Sequence, residues 1–269
     1  MKRLIRGVQY EYEVCGSGEA LLLLHGFTGS KEAWRRFSAS WSRSYQVIMP
    51  DLLGHGGTDS PAAAERYDIG QAAADLAALL DHLGIKRVHV LGYSMGGRLA
   101  IVFSAIYPDR VASLILENCT AGLEAEADRQ NRRQQDEQLA AFLEQQGIAA
   151  FVDKWEQVPL FASQEQLPQE QREQIRKQRL QNNPAGLAGS LHGMGTGAQP
   201  SYWAALPDFR MPVLLISGEY DIKFQGILAR MQKQLPQARL VQVSGAGHAI
   251  HVEQPEKFDT IVSEFLQTL

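Results

Sequence analysis

Residues 91–100 read LGYSMGGRLA, and the serine in this stretch lies where one sequence pattern gives way to another. The residues before it form a short apolar run that predicts a buried strand, and those after it recur at helical spacing. Gly92-x-Ser94-x-Gly96 in a strand–turn–helix context is typical of a nucleophile elbow, where small neighbours let the backbone turn sharply and expose the serine hydroxyl. The alternative is a serine in an ordinary glycine-rich turn. We favour the first interpretation and take Ser94 as a candidate catalytic residue.

The apolar run before Ser94 is one of several that alternate with helical patterns along the chain. Residues 8–14 alternate apolar and polar side chains and predict an exposed strand. Short apolar runs predict buried strands at 20–26, 45–51, 87–93, 111–118, 212–221 and 238–247. Helical patterns are found at 68–83, 95–107, 222–234 and 255–268. This alternation predicts an α/β fold whose mostly parallel sheet is covered on both faces and binds its ligand at the carboxyl ends of the strands.

Residues 121–200 interrupt this alternation. The segment is rich in Gln, Glu and Arg and contains no apolar run typical of a strand. Its apolar residues recur at helical spacing, for example Leu139, Phe142 and Leu143. We interpret the segment as a helical cap over the carboxyl edge of the sheet. The predicted organisation is therefore a core formed by 1–120 and 201–269, with a cap at 121–200.

A serine nucleophile needs a base and a group that orients the base. When a nucleophile elbow carries the serine, the chain order is serine, acid, histidine. Asp221 follows a late strand and His248 follows the next strand, so both are expected at the edge of the sheet that carries Ser94. Glu219 competes as the acid, but it lies within the turn. His251 competes as the base, although we expect it to pack or to bond locally within its loop.

An oxyanion hole needs two backbone N–H groups. We assign one to Met95, the residue after the serine, and the other to Phe27, in the loop after an early strand that His25 helps to shape. Asp51 is expected to organise a loop rather than to react. His55 has two open interpretations, as a residue that lines the site or as a structural one.

The composition limits which partners the protein can bind and in which cellular compartment it is expected. The chain has 269 residues, 45% of them apolar, with a net charge of −4, which gives no basic footprint for nucleic acid or an anionic membrane. We therefore expect neither as a partner. Two cysteines far apart in sequence and no apolar run typical of a secretory signal or a membrane span favour a cytoplasmic protein. A monomer or a small homo-oligomer is expected.

The motifs in their order resemble those of the α/β-hydrolase superfamily. The resemblance spans nearly the whole chain and rests on LLLLHGF, PDLLGHGGTDSP, LGYSMGG, SGEYD and GAGHAIHVEQPEKF. Finer features, HGFTGS, GYSMGGR, FASQ and GEYDIKF, are similar to the 2-succinyl-6-hydroxy-2,4-cyclohexadiene-1-carboxylate synthases of menaquinone biosynthesis. This resemblance implies a lyase that removes pyruvate from a tricarboxylate without a cofactor or metal. It also implies Ser94, Asp221 and His248 as the triad.

The same resemblance implies residues that hold the substrate. Arg98, Arg132 and Arg179 match positions of carboxylate-binding arginines, and Tyr93 and Trp155 match further site positions. The two cap arginines rest on spacing through variable sequence. Alternatives to them therefore stay open: Arg129, Arg133, Arg172 and Arg176.

Arg98 limits the possible substrates more than the serine motif does. It lies four residues after Ser94 in the predicted helix, so the two side chains share a face. A buried arginine without a partner is costly, so Arg98 requires an anion. That anion is either a protein carboxylate or a carboxylate of the substrate held by two hydrogen bonds. Lys223 either adds positive potential near the site or is an ordinary surface lysine.

Three functions remain open from the sequence. The first is the lyase, in which Ser94 activated by His248 takes a proton from carbon while the oxyanion hole holds the developing enolate. The second is a serine hydrolase of esters or carbon–carbon bonds that acts through an acyl-enzyme. The third is a non-catalytic small-molecule receptor on the same fold, against which the complete triad argues.

Overall fold

The computed structural model describes residues 1–269 and contains a single eight-stranded sheet. The strands are β1 Lys2–Ile5, β2 Val8–Cys15, β3 Glu19–Leu24, β4 Tyr45–Pro50, β5 Val88–Tyr93, β6 Val111–Glu117, β7 Val213–Gly218 and β8 Ala238–Val243. The helices are α1 Arg35–Trp41, α2 Ile69–His82, α3 Met95–Ile106, α4 Glu126–Glu156, α5 Gln169–Leu180, α6 Pro184–Met194, α7 Ile222–Gln232, α8 Ile250–Glu253 and α9 Pro255–Gln267.

The strand order is β1-β2-β4-β3-β5-β6-β7-β8. Strands β1 and β2 pair antiparallel, β2 pairs antiparallel with β4, and all the remaining neighbours are parallel. The predicted mostly parallel sheet is thus confirmed. Because parallel neighbours end at the same edge, β5, β6, β7 and β8 bring the loops that follow them together.

Both faces of the sheet are buried, as the apolar runs predict. Successive side chains of a strand point to opposite faces. Along β3, Leu22 and Leu24 belong to one apolar cluster, and Leu21 and Leu23 belong to a second cluster across the sheet. All four leucines are fully buried. This arrangement explains why the central strands read as continuous apolar runs.

The amino-terminal strands differ from the prediction. Strand β1 has no counterpart in it, and β2 is half-buried rather than exposed. Hydrogen bonds to β1 and β4 enclose β2 on both sides, and Val8, Tyr10 and Tyr12 pack in an apolar cluster. The alternation along β2 therefore marks one buried face of an internal strand.

The segment between β6 and β7 is helical, with α4, α5 and α6 and a 3-10 helix at Pro159–Gln166. No helix of the protein combines the length and apolar character needed to cross a membrane. Gly147 interrupts α4 with φ 78° and ψ 175°, a conformation that favours glycine. Asn182, after α5, connects these helices to the core, since its amide donates to Thr28 O at 2.9 Å and accepts from Gly56 N at 3.3 Å.

The turn after β5 is possible only with small residues. A Cβ atom on Gly96 would lie 2.2 Å from Leu24 O and 2.6 Å from His25 O, and both are backbone atoms that cannot swing aside. A Cβ on Gly92 would lie 2.4 Å from Gly96 O. These contacts explain why glycines flank the serine in LGYSMGG.

Gly96→Ala is therefore expected to destabilise the protein by about 1–3 kcal/mol, the usual cost of overpacking a close-packed site. The matched control is Gly226→Ala in α7, where a Cβ meets no atom within 4 Å. That change is expected to stabilise by about 0.5–1 kcal/mol, because alanine favours helix over the unfolded chain. Urea unfolding of both variants measures the difference, and equal stabilities would contradict the steric argument.

Candidate active site

Ser94 occupies the turn between β5 and α3. Its backbone has φ 49° and ψ −105°, a strained conformation for a residue with a side chain. Its N–H donates to Glu117 O in β6 at 2.9 Å, and Arg98 N donates to Ser94 O at 3.0 Å. The turn thus holds the serine at the start of α3 with its side chain directed away from the sheet.

His248 lies between Ser94 and Asp221. Its Nε2 is 3.0 Å from Ser94 Oγ, and its Nδ1 is 2.6 Å from Asp221 Oδ2. Donation from Nδ1–H to the carboxylate leaves Nε2 free to accept from the serine hydroxyl. Asp221 is held in turn at the start of α7, where Phe224 N donates to its Oδ1 at 3.3 Å. The structure therefore brings the three predicted residues together in an order suited to proton transfer.

Neither competing residue occupies this position. Glu219 accepts from Gly245 N at 2.8 Å and does not contact the histidine. His251 packs, as one of its two predicted roles requires, but its hydrogen bonds are not local: its N–H and its Nδ1 lie 3.1 and 2.9 Å from Oε1 of Glu117, which is 134 residues away. Its ring also packs against Tyr93, with centroids 4.6 Å apart. Glu117 and His251 are both buried, so the pair ties β6 to the loop that carries His248.

The two predicted oxyanion-hole residues both line the cavity that contains Ser94. Neither the Phe27 N–H nor the Met95 N–H donates to another backbone group. The Phe27 loop is shaped by His25, whose Nδ1 is 2.8 Å from Gly26 O while its Nε2 accepts from Leu52 N at 2.9 Å. Both N–H groups are thus free to donate to a ligand, and their role in an oxyanion hole stays a prediction.

Asp51 and His55 lie below the cavity lining. Asp51 accepts from Lys31 N at 2.7 Å and from Gly57 N at 2.8 Å, so it organises two loops. His55 is buried, its Nδ1 lies 3.0 Å from Leu53 O, and its Nε2 has no partner. Burial, with a smaller effect from His25, lowers the pKa of His55 to about 3. His55 is therefore neutral at physiological pH and lies outside the cavity wall.

A cavity of about 410 Å³ lies above Ser94, between the sheet edge and the helices α4 and α6. Apolar side chains form much of its wall, and a few polar groups are placed among them, as is usual for a small-molecule site. The predicted site residues that line it are Phe27, Tyr93, Ser94, Met95, Arg98, Arg132, Trp155, Lys223 and His248. The Nε1 of Trp155 is buried without a hydrogen-bond partner.

Arg98 is the buried charge of this cavity, with 8% of its surface exposed. The single hydrogen bond of its side chain within the protein runs from Nη1 to Gln199 Oε1 at 2.8 Å. Burial, followed by the like charge of Arg132, lowers the pKa of Arg98 to about 10, which still leaves it charged at neutral pH. The nearby carboxylate of Asp136 pairs with Arg132 instead, at 2.8 Å. No protein carboxylate forms a salt bridge with Arg98, although Asp136 is near enough to offset part of the lowering of its pKa.

Among the three arginines at the start of α4, only Arg132 reaches the cavity. Arg129 and Arg133 both pair with Glu126 on the outer side of the helix. The choice of Arg132 among the three rested on the resemblance, and the geometry agrees with it.

Arg179 lies outside the cavity, although the resemblance implies it as a substrate-binding residue. Its guanidinium pairs with Glu156 at 3.3 Å and lies 4.9 Å from the centroid of the Phe161 ring. Phe161 lines the cavity on one side and a neighbouring surface pocket with Arg179 on the other. Arg172 and Arg176 line that outer pocket as well. Arg179 does not line the cavity that contains Ser94, so its contact with a ligand there stays a prediction.

Two residues near the site were not predicted from the sequence. Gln199 follows α6 in a segment without periodicity, so no pattern indicates its contact with Arg98. Phe224 packs on His248 with ring centroids 4.8 Å apart. Its place three residues after Asp221 could have suggested this contact. No group of three or more His, Cys, Asp or Glu side chains is arranged to hold a metal ion.

The chain matches the family model of the alpha/beta hydrolase fold over residues 19–255. It is 46% identical to a Bacillus subtilis (strain 168) protein provisionally named 2-succinyl-6-hydroxy-2,4-cyclohexadiene-1-carboxylate synthase, over 98% of this chain and 96% of the relative. A Pectobacterium atrosepticum protein with the same synthase name is 32% identical, over 91% of this chain and 93% of the relative.

A solved structure gives the same result. The structure of MenH from S. aureus superposes with a TM-score of 0.91 at 35% identity and covers 96% of this chain and 98% of that chain. These matches confirm the predicted fold class and the resemblance drawn from the motifs. The chain belongs to the alpha/beta hydrolase fold family and, within it, to the 2-succinyl-6-hydroxy-2,4-cyclohexadiene-1-carboxylate synthases.

Proposed function

We propose that the protein is a lyase of menaquinone biosynthesis. It eliminates pyruvate from 2-succinyl-5-enolpyruvyl-6-hydroxy-3-cyclohexene-1-carboxylate and gives 2-succinyl-6-hydroxy-2,4-cyclohexadiene-1-carboxylate. One observation carries this proposal beyond family membership. The cavity that contains Ser94 and His248 also contains Arg98, a buried positive charge that forms no salt bridge with a protein carboxylate. A neutral ester would leave that charge unpaired, whereas a carboxylate of the substrate would compensate it.

The elimination needs a base that removes a proton and hydrogen-bond donors that stabilise the negative charge of the resulting enolate. Ser94, polarised by His248 at 3.0 Å, takes a proton from the carbon next to the succinyl carbonyl, and the proton passes to His248. The electrons of that C–H bond form an enolate, whose oxygen is held by the N–H groups of Phe27 and Met95. As the enolate returns to the carbonyl, a C2=C3 double bond forms, the ring C3=C4 double bond shifts to C4=C5, and the C5–O bond breaks. The departing oxygen accepts the proton from His248 and leaves as the enol of pyruvate, so no acyl-enzyme is required.

Positive groups around the cavity suit a substrate with three carboxylates. Arg98 lies in the wall below and Arg132 in the wall formed by α4, while the exposed Lys223 lies near the start of α7. The unpartnered Nε1–H of Trp155 is a further donor. Arginine binds a carboxylate through two parallel hydrogen bonds, which fixes the orientation of the substrate as well as its charge. In this proposal, the same contacts hold the substrate with its acidic C–H facing Ser94.

The proposed compartment is the cytoplasm, and the proposed assembly is a monomer or a small homo-oligomer. Cys15 and Cys119 are both free thiols, as is usual in a reducing compartment. The substrate is a small molecule, and the cavity volume of about 410 Å³ lies within the range usual for such ligands.

Pyruvate release tests the function directly. The purified protein is mixed with the enolpyruvyl substrate, and pyruvate is measured with a coupled dehydrogenase, alongside a panel of nitrophenyl esters. We expect rapid pyruvate release, above the rate without protein, and slow ester turnover. Fast ester hydrolysis without pyruvate release would replace the lyase by the serine hydrolase that the same triad could support.

A further inference from the structure

Gln199 is a fully buried amide whose only side-chain hydrogen bond is to Arg98. Its Oε1 accepts from Arg98 Nη1 at 2.8 Å, and its Nε2 has no partner. Its backbone is fixed in the turn after α6, where its N–H donates to Gly195 O at 3.1 Å. Gln199 does not line the cavity itself, so it holds Arg98 from the side away from the ligand.

The choice of an amide at this position has an electrostatic consequence. A neutral oxygen accepts one N–H of the guanidinium and orients it, but leaves its net charge in place. A carboxylate at the same distance would form a buried ion pair and would compete with any anion in the cavity. Every other buried or half-buried arginine near the cavity has an acidic partner: Arg129 and Arg133 have Glu126, Arg132 has Asp136, and Arg179 has Glu156.

We propose that Gln199 is a positioning residue that makes the cavity selective for anionic substrates, because it fixes Arg98 through a neutral acceptor and leaves its charge to a substrate carboxylate. The inference rests on the proposed function for the identity of that substrate. It adds a determinant that contacts no substrate atom. Without Gln199, the guanidinium of Arg98 could turn away from the cavity. An acidic residue in place of Gln199 would neutralise the charge of Arg98.

Gln199→Glu is the sharpest test, since it replaces the amide NH2 group by a carboxylate oxygen and leaves the side-chain volume almost unchanged. We expect KM for the enolpyruvyl substrate to rise about 10- to 100-fold, the range for losing a hydrogen bond to a charged group, with kcat changed much less. Thermal unfolding is expected at a higher temperature, because the new carboxylate pairs with a buried charge. A merely structural role for Gln199 would not raise stability while it weakens binding.

The matched control is Gln71→Glu. Gln71 Oε1 also accepts from an arginine, Arg6 Nη2, at 2.8 Å, but on the exposed side of α2, and neither residue lines the cavity. Its KM is expected to equal that of the wild type. Gln199→Met removes the acceptor without adding charge, so we expect a smaller rise in KM and a lower unfolding temperature.

The outcomes separate this inference from the function on which it rests. An unchanged KM in Gln199→Glu, while the wild type releases pyruvate, overturns the inference alone. The inference is also overturned if Gln199→Glu and Gln199→Met show the same rise in KM and the same loss of stability. If the wild type releases no pyruvate, the function fails, and succinate becomes the probe. Succinate is then expected to raise the unfolding temperature of the wild type but not of Gln199→Glu, and equal shifts would overturn the inference.

Discussion

Ser94→Ala is expected to lower kcat for pyruvate release by about 10³-fold, within the range for loss of a positioned acid–base group. The hydroxyl lies 3.0 Å from His248 Nε2, and both residues line the cavity. In the proposed mechanism the serine oxygen takes the proton from carbon, so this substitution removes the base. KM is expected to change little, because the carboxylates are held by arginines rather than by the serine.

The control for this variant is Ser104→Ala. Ser104 lies in the same helix, is fully buried and donates only to Ala100 O at 2.8 Å. Its activity is expected to match the wild type. Single-turnover pyruvate release and thermal unfolding are measured for both variants. A Ser94→Ala enzyme within threefold of wild-type activity would show that His248 takes the proton directly and that Ser94 is not the base.

Arg98→Ala is expected to lower kcat/KM for the tricarboxylate about 10- to 100-fold, the equivalent of one charged hydrogen-bonded contact. Hydrolysis of an uncharged nitrophenyl ester, where detectable, should change by less than about threefold, since no carboxylate is present to lose its partner. Arg98→Lys keeps the charge but not the two parallel hydrogen bonds, so it should lie between the wild type and the alanine variant.

Arg35→Ala is the matched control for charge alone. It removes an exposed arginine that pairs with Glu13 and Glu32 and does not line the cavity. Its kcat/KM should equal the wild-type value. If Arg98→Ala reduces ester hydrolysis and pyruvate release by the same factor, Arg98 supports the structure of the turn rather than the substrate.

The core of the site could be predicted because the fold itself aligns it. Ser94, Asp221 and His248 each follow a parallel strand, and the ends of parallel strands share one edge of the sheet. Arg98 could be placed from helical periodicity, four residues after the serine. In each case a regular element carries the side chain, so its direction follows from its position in the sequence.

Other contacts depend on packing that leaves no pattern in the sequence. Gln199 is in an irregular segment, and Glu117 meets His251 only because β6 ends beneath the last loop. Arg179 is in a regular helix, but the ring of Phe161 separates it from the cavity, and that separation depends on how α5 packs. Strand β1 has four residues, two of them charged, so hydrogen bonding to β2 stabilises it rather than apolar periodicity.

The contact between Glu117 and His251 also bears on how the chain acquires activity. These residues are 134 positions apart, and Ser94 is 154 positions from His248. Such pairings close long loops, which makes them late and slow events in folding. A folding intermediate in which the last strand and helices have not yet docked would already contain the serine turn and Arg98. It would lack His248 in its place beside Ser94. Catalytic activity should therefore recover only in the final phase of refolding, after most of the secondary structure has formed.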